Sequence, residues 1–337
     1  MSLIFWPSPS VRTERSLRAD RQRIGWNRIG LYWIKLKREN LNFGFSKPIK
    51  AKLKKIKLLD FFEYQPDKMF LLTRVEYTAE QIFKIKQLRQ LVERSRELQV
   101  GTDDVFLTKF LHYTHWDTIK AYQAIHAYYD FKHKHPSWVA RHPIEHYRKI
   151  FYGTRCRFVM PHADKNGRVL VIFKTVDAFE QFPDYLQGLI EMDDLIFESL
   201  LMLPRVQENG ITVICDLQGT TRNFLRQFSP AFMKVVNEKN GVLPFTQRIV
   251  HLVQRGFLMH ITSTLFMPFM NKEFKERIFT HDGKNLSKLR DMVGYDCLPA
   301  EYGGPASNVL DTNLMFNHLS QNASYLEQLQ HYEKKIL

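Results

Sequence analysis

Apolar residues recur every three or four positions after Thr78, and this spacing predicts an amphipathic helix. Thr102 and Asp103 are suited to cap a second helix, and Asp117 is suited to cap a third that covers 117–134. The apolar stripe of the first helix consists of Ile82, Ile85, Leu88, Leu91 and Val92. Three helices in succession predict a small helical module in this part of the chain.

The pattern changes after residue 155, where short apolar runs begin to alternate with helical spacing. Helices are predicted at 183–203 and at 229–241, the second ending at Gly241. The alternation predicts an α/β sheet. Its strands are predicted in 156–175, as a pair around an Asp-Lys-Asn-Gly turn, in 210–219 and in 247–253.

Two segments, 183–203 and 256–270, carry more large apolar residues than one buried stripe requires. Ordinary core packing is one interpretation of this surplus. The alternative is that the two faces line a hydrophobic cavity and that one of the segments moves.

The chain of 337 residues has a formal net charge of +14, and most of this excess lies at one end. Residues 1–68 hold 16 Lys and Arg against 6 Asp and Glu, whereas the rest hold 33 against 29. The net charge therefore does not indicate that the folded part of the chain, after residue 68, binds nucleic acid. A solvated, disordered arm is one interpretation of 1–68, and a short membrane-surface helix at 47–62 is another.

Three cysteines are too few and too far apart for a disulfide framework, which favours a reducing compartment. The first ten residues lack the charge pattern of a signal peptide. The apolar segment 256–270 is too short to span a bilayer. These features together predict a soluble, cytoplasmic protein.

Motifs for catalysis are weak. No phosphate-binding glycine loop and no G-x-S-x-G elbow occurs in the sequence. The segment HPIEH at 142–146 matches a zinc-protease pattern. Pro143 restricts His142 to a cap position, however, which would direct it away from the helical face that holds His146. We therefore favour the interpretation that these are surface histidines and not zinc ligands. We therefore predict no catalytic residues, no metal site, no cofactor and no enzyme activity.

Five ordered segments resemble one family. They are FLTKFLHYTHWDTIKAY, NGITVICDLQGT, RIVHLVQ, LFMPFMNKEFKERI and LPAEYGG. Together they are similar to the CRAL-TRIO lipid-transfer proteins over about residues 79 to 305. Within that family they most resemble the α-tocopherol transfer protein-like members, including the insect-type ones. The resemblance implies an α/β fold, in which a three-helix module precedes a lipid-binding domain with a mobile gate helix.

The resemblance also implies the domain organisation and the ligand site. In it, LPAEYGG closes the pocket domain. Asp193 stands where the tocopherol carrier has a serine, so a carboxylate facing the pocket would need a hydrogen-bond partner or a raised pKa. The predicted domains are a basic arm (1–68), a helical module (69–140), the lipid-binding domain (141–305) and a partly helical tail (306–337). The predicted ligand-binding residues are Ile190, Asp193, Phe197, Leu201, Val250, Phe257, Ile261 and Leu265.

A basic cleft beside the gate is implied as a phosphoinositide site. Its predicted members are Arg248, Lys272, Lys275 and Arg277. Thr246 and Glu273 stand where the tocopherol carrier has lysines, which weakens the match.

The sequence thus predicts a monomeric carrier that binds one hydrophobic molecule, of tocopherol, retinoid or phospholipid type, and exchanges it at anionic membranes. We expect it to be peripherally membrane-associated and to bind no nucleic acid. The alternative is a membrane-bound adaptor or phosphoinositide sensor.

Overall fold

The computed structural model describes residues 75–181, 185–227, 229–254 and 267–335. The predicted basic arm (1–68) and residues 256–266 of the predicted gate helix (256–277) lie outside the described residues. No helix in these described ranges is long and apolar enough to cross a bilayer.

Three amphipathic helices open the described part, at the positions that the sequence predicts: α1 (Ala79–Arg94), α2 (Asp104–Tyr113) and α3 (Thr118–Lys134). Each begins at a side chain that satisfies free backbone N–H groups. Thr78 and Gln81 form a reciprocal capping box on α1. The Asp103 carboxylate accepts from the amide of Phe106, and Asp117 caps α3 in the same way.

A five-stranded sheet forms the centre of the fold, and its neighbouring strands follow one another in the order of the chain. The first pair is antiparallel, around the predicted turn, and all later pairs are parallel. The strands are β2 (Arg157–Ala163), β3 (Val169–Phe173), β4 (Ile211–Asp216), β5 (Arg248–Gln254) and β6 (Ile278–Asp282). The predicted α/β class is therefore confirmed.

Helices cover both faces of the sheet, because its side chains are apolar on both. Val171 and Val213 face one core, which the N-terminal helices also join, while Ile172 and Ile214 face the other. The helices are α4 (Ile144–Thr154), α5 (Thr175–Gln181), α6 (Leu186–Leu201), α7 (Pro204–Asn209), α8 (Arg222–Arg226), α9 (Pro230–Val242), α10 (Lys272–Lys275), α11 (Ser287–Val293), α12 (Thr312–Gln321) and α13 (Ala323–Gln330), with short 3-10 turns at Pro136–Trp138, Met267–Phe269 and Ala300–Tyr302.

Helix α9 corrects one sequence expectation. Gly241, the predicted stop, lies inside the helix, which ends at Val242 with Leu243 as the C-cap residue. Leu243 is buried in the core. Burial of this apolar residue just past the helix end fixes where the chain leaves the helix, so the local signal of a glycine is overridden.

The end of the chain returns to its first helices. Strand β7 (Glu333–Lys334) pairs antiparallel with β1 (Leu98–Gln99), directly after α1. The Tyr325 hydroxyl donates to the cap carboxylate of Asp103 at 2.9 Å. The C-terminal helices therefore hold the helical module from outside.

Candidate functional site

A cavity of about 290 Å³ lies between helices α6 and α9 and the ends of strands β3 and β4. It lies near the carboxyl ends of parallel strands, where open α/β sheets commonly bind ligands. Six aromatic rings line it, with only a few polar groups, a composition typical of small-molecule sites. These rings belong to Trp138, Phe173, Phe179, Phe197, Phe224 and Phe232.

One face of α6 supplies three of the predicted ligand residues. Ile190, Asp193 and Phe197 are spaced by three and four positions, so they lie on the same side of the helix, and all three line the cavity. The structure thus brings these three together.

The other predicted ligand residues divide into two groups. Leu201 and Val250 are buried in the main core, packed with the sheet and the N-terminal helices, and they are not among the described residues that line the cavity. Phe257, Ile261 and Leu265 lie outside the described residues.

Asp193 has the partner that a carboxylate at this position needs. Its two oxygens accept from Arg157, whose Nε lies 2.5 Å from Oδ1 and whose Nη2 lies 2.9 Å from Oδ2. The guanidinium stacks 4.3 Å from the ring centre of Phe173. Burial opposes the charge of Arg157, but the attraction of Asp193 contributes to a net rise of its pKa above the ordinary value.

The position of Arg157 follows from strand register. Arg157 is paired with Phe173, and Phe173 is paired with Cys215, so the three lie in one row across β2, β3 and β4 on the same face of the sheet. Thr175, which opens α5, accepts from Nη1 of Arg157 at 3.0 Å. Burial raises the pKa of the Cys215 thiol to about 12, so the group is neutral at physiological pH. We call Arg157, Thr175, Asp193 and Cys215 the polar corner of the cavity.

A second buried ion pair closes another part of the wall. Lys239, on α9, lies 2.9 Å from the carboxylate of Asp194 and donates to the carbonyl of Trp138 at 2.7 Å. Asp194 also accepts from the amide of Ala140 at 3.2 Å. Both charged groups are thereby satisfied by protein atoms, and the pair ties α9 to α6.

Arg248, the first residue of β5, is buried yet only partly hydrogen-bonded. Its Nη2 donates to the carbonyl of Asn240 at 2.8 Å. Its Nε and Nη1 have no hydrogen-bond partner among the described residues. The guanidinium lies 4.8 Å from the ring centre of Phe274. Burial, and then the nearby charge of Arg277, lower the pKa of Arg248 to about 10.

The other predicted basic residues belong to α10 and to the residues that lead from it to strand β6, next to β5. The carbonyl of Arg277 accepts from the amide of Val250 in β5, which places Arg277 beside Arg248. Lys272 and Lys275 are one helical turn apart on α10, which is capped by Asn271. Lys272 and Arg277 are exposed, and Lys275 is half-buried. The helix ends at Lys275, so Arg277 leaves it and reaches the sheet.

Sequence reasoning missed Arg157, Lys239 and most of the aromatic wall. An arginine inside the apolar strand segment CRFVM was a usable signal, because a charge in a buried strand requires a partner. No comparable signal marks Lys239, whose partner depends on how α9 packs.

Comparisons with known proteins agree with this geometry. A model of the CRAL/TRIO domain family matches residues 156–304, which contain the sheet and the polar corner. This part of the chain is therefore similar to CRAL/TRIO domains. The resemblance seen in the sequence is thereby confirmed for this part of the chain, whereas the predicted domain boundaries stay predictions.

Curated relatives extend the similarity beyond that domain. Human "Alpha-tocopherol transfer protein-like" is 26% identical over 230 residues, 68% of this chain and 66% of the relative. "Clavesin-1" of Xenopus laevis is 23% identical over 65% of this chain and 67% of its own length. Human "Clavesin-2" is 24% identical over 65% of this chain and 68% of its own length. The crystal structure of Sfh5 covers 75% of this chain and all of its own, with a TM-score of 0.45 and 12% identity.

Proposed function

We propose that this protein binds one hydrophobic small molecule in the cavity and exchanges it with membranes. The observation that carries this proposal is the aromatic-lined cavity between α6, α9 and the strand ends. Burial of a ligand's apolar surface contributes about 25 cal/mol per Å², so an apolar molecule of ordinary size gains enough to bind. The name of the human relative describes it as like an α-tocopherol transfer protein. The ligand proposed here is of tocopherol, retinoid or phospholipid type.

Ile190, Asp193 and Phe197 contact the ligand in this proposal, because they already line the cavity. Phe257, Ile261 and Leu265 belong to the proposed gate, whose apolar face covers the ligand and opens at a membrane. Leu201 and Val250 support the cavity from the core behind it. The protein is proposed to work as a carrier and not as an enzyme, and as a monomer in the cytoplasm.

The membrane contact is proposed to form at Arg248, Lys272, Lys275 and Arg277. A buried guanidinium with unpaired donors is costly unless an anion completes it, and the charge-assisted bonds of a phosphate group would do so. This feature also favours the second candidate function, a phosphoinositide-binding adaptor or sensor that is peripherally attached to membranes.

Native mass spectrometry of the full-length protein, purified from a eukaryotic host, tests the carrier function. We expect one hydrophobic molecule per chain, lost when Ile190 and Phe197 are both replaced by Trp to fill the cavity. Binding of phosphoinositide vesicles without any occupant of the cavity, in parent and variant alike, would instead favour the adaptor.

A further inference from the structure

Of the two charged side chains in the polar corner, one has spare hydrogen-bonding capacity. The donors of Arg157 are largely used by protein acceptors: the Asp193 carboxylate, the Thr175 hydroxyl and the carbonyl of Cys156 at 3.2 Å. Its side chain is only 3% exposed. Arg157 therefore positions its partner and offers little to a ligand.

Asp193 differs from Arg157 in both respects. A carboxylate has two oxygens with about four acceptor positions, and Arg157 occupies one on each oxygen. Arg157 is its only hydrogen-bond partner in the described part of the chain. The Asp193 side chain is 21% exposed and lines the cavity. The cavity thus presents a fixed acceptor whose free positions await a donor.

The charges around this acceptor cancel. Asp193 is neutralised by Arg157, and the other lining cation, Lys239, is neutralised by Asp194. The neighbouring Cys215 thiol is neutral as well. A ligand carboxylate or phosphate would meet the oxygens of Asp193 and find no unpaired cation among the described lining residues, so an anionic head group is disfavoured there.

We infer that the ligand is a neutral lipid with a free hydroxyl group, which donates a hydrogen bond to Asp193 while Arg157 holds the carboxylate in place. This inference rests on the carrier function proposed above. A site that hydrogen-bonds a hydroxyl discriminates against analogues that lack it, because the acceptor positions that Arg157 leaves free then lose water without gaining a donor. A hydrogen bond to a charged acceptor corresponds to about tenfold or more in affinity.

Matched pairs of compounds test this assignment in the full-length protein. The dissociation constants of farnesol and farnesyl methyl ether, and of cholesterol and its methyl ether, are measured by displacement of Nile red, with farnesoic acid as the anionic member. Each ether carries an extra methyl group that favours burial, so a preference for the alcohol opposes the hydrophobic effect. We expect at least one alcohol to bind about tenfold or more tightly than its ether, and farnesol to bind more tightly than farnesoic acid.

A double variant places the preference at Asp193. Arg157→Met with Asp193→Leu removes the ion pair and leaves an apolar wall, an exchange that proteins often tolerate. We expect alcohol and ether then to bind within about twofold of each other, since the charge-assisted bond is absent. Arg168→Met with Asp164→Asn is the control, because it removes another buried ion pair, at residues that do not line the cavity, and should keep the preference.

Equal affinities of alcohol and ether in the unmodified protein would overturn the inference while leaving the carrier function intact, even if the double variant does not fold. A preference that survives the loss of Arg157 and Asp193 would overturn it as well. Failure of every compound to bind, with no copurified lipid, would overturn the carrier function and this inference together.

Discussion

Lys109 Nζ lies 2.9 Å from Oε2 of Glu198, and this buried ion pair joins helix α2 to helix α6. The other oxygen of Glu198 accepts from Lys132 at 2.7 Å and from the hydroxyl of Tyr128, both on α3. Burial opposes the charge of Glu198, but Lys109 and Lys132 outweigh it and hold its pKa below the ordinary value. One carboxylate thereby fastens two N-terminal helices to the helix that lines the cavity.

Replacing Glu198 with Gln should destabilise the whole protein. The change leaves two buried lysines without a counter-charge, and breaking a buried pair in this way costs about 3 to 5 kcal/mol. Chemical denaturation measures the loss. Glu145→Gln is the control, since Glu145 pairs with Arg148 at the surface and should change stability by less than about 1 kcal/mol. Equal effects of the two variants would show that the buried network adds nothing.

Arg248 and Arg277 should contribute to binding of anionic membranes. Each basic group near such a surface contributes about 1 kcal/mol, so replacing both with Met should weaken binding to anionic vesicles by about tenfold or more. Affinity for the apolar ligand should stay nearly unchanged, and high salt should reduce the difference. Arg94→Met with Arg96→Met, two exposed changes at the end of α1, is the control. Unchanged transfer to anionic vesicles at low salt would rule out this cleft as the membrane site.

Arg248→Met alone should make the protein more stable in the absence of an anion. The native state keeps a buried cation whose donors are only partly used, which opposes folding. Thermal unfolding should therefore shift upward in the variant. A soluble phosphoinositide head group should raise the midpoint of the parent protein and leave the variant unaffected. A lower midpoint for Arg248→Met would mean that Arg248 is needed for folding.

Acid should destabilise the protein through two buried histidines. His251 Nδ1 lies 2.8 Å from His281 Nε2 on the opposite face of the sheet from the cavity. The pKa of His251 is lowered to about 3 by burial and then by the nearby His281 and Arg168, which together outweigh the attraction of Asp164. The pKa of His281 is lowered to about 4 by burial and by the charge of Lys288.

The unfolded chain binds protons on these histidines near pH 6.5, whereas the folded chain does not until about pH 4, so stability falls as the pH falls between these values. The slope is at most about 1.4 kcal/mol per pH unit for each histidine. Glu198, whose pKa is lowered in the folded protein, adds to the loss of stability only when the pH falls to about 4.5, the ordinary pKa of a glutamate, and below. Denaturation measured from pH 7 to pH 4.5 should show this slope, and His251→Phe with His281→Leu should reduce it. The part due to His318, whose pKa burial also lowers to about 4, should remain. An unchanged slope in the variant would assign the acid sensitivity to other groups.

The two glycines of LPAEYGG should differ sharply in their tolerance of alanine. Gly303 has φ 83°, and an added Cβ would meet only the flexible side chain of Arg290, at 3.2 Å. Its replacement should cost about 1 kcal/mol for the left-handed backbone. A Cβ on Gly304 would lie 1.9 Å from the backbone carbonyl oxygen of Leu298, which cannot move aside alone. Gly304→Ala should therefore be several-fold more destabilising in denaturant unfolding, and equal costs would contradict this account.

Much of the fold follows from local rules. Caps at Thr78, Asp103 and Asp117, helical spacing in α6 and turn chemistry before β3 are properties of neighbouring residues, so the sequence alone predicts these elements. The common face of Ile190, Asp193 and Phe197 follows from helical periodicity in the same way. Periodicity does not say which side of the helix faces the ligand cavity, and the family resemblance supplied that expectation.

The tertiary structure alone decided which charges meet. Arg157 reaches Asp193 across 36 positions, Lys109 reaches Glu198 across 89, and each pairing depends on strand register or helix packing. The incomplete hydrogen bonding of Arg248 likewise depends on Asn240, at the end of another helix. Local sequence fixes periodicity and caps because these act within one turn or one strand. Side chains that are distant in the chain find each other only through the order and register of the whole sheet, which no single segment encodes.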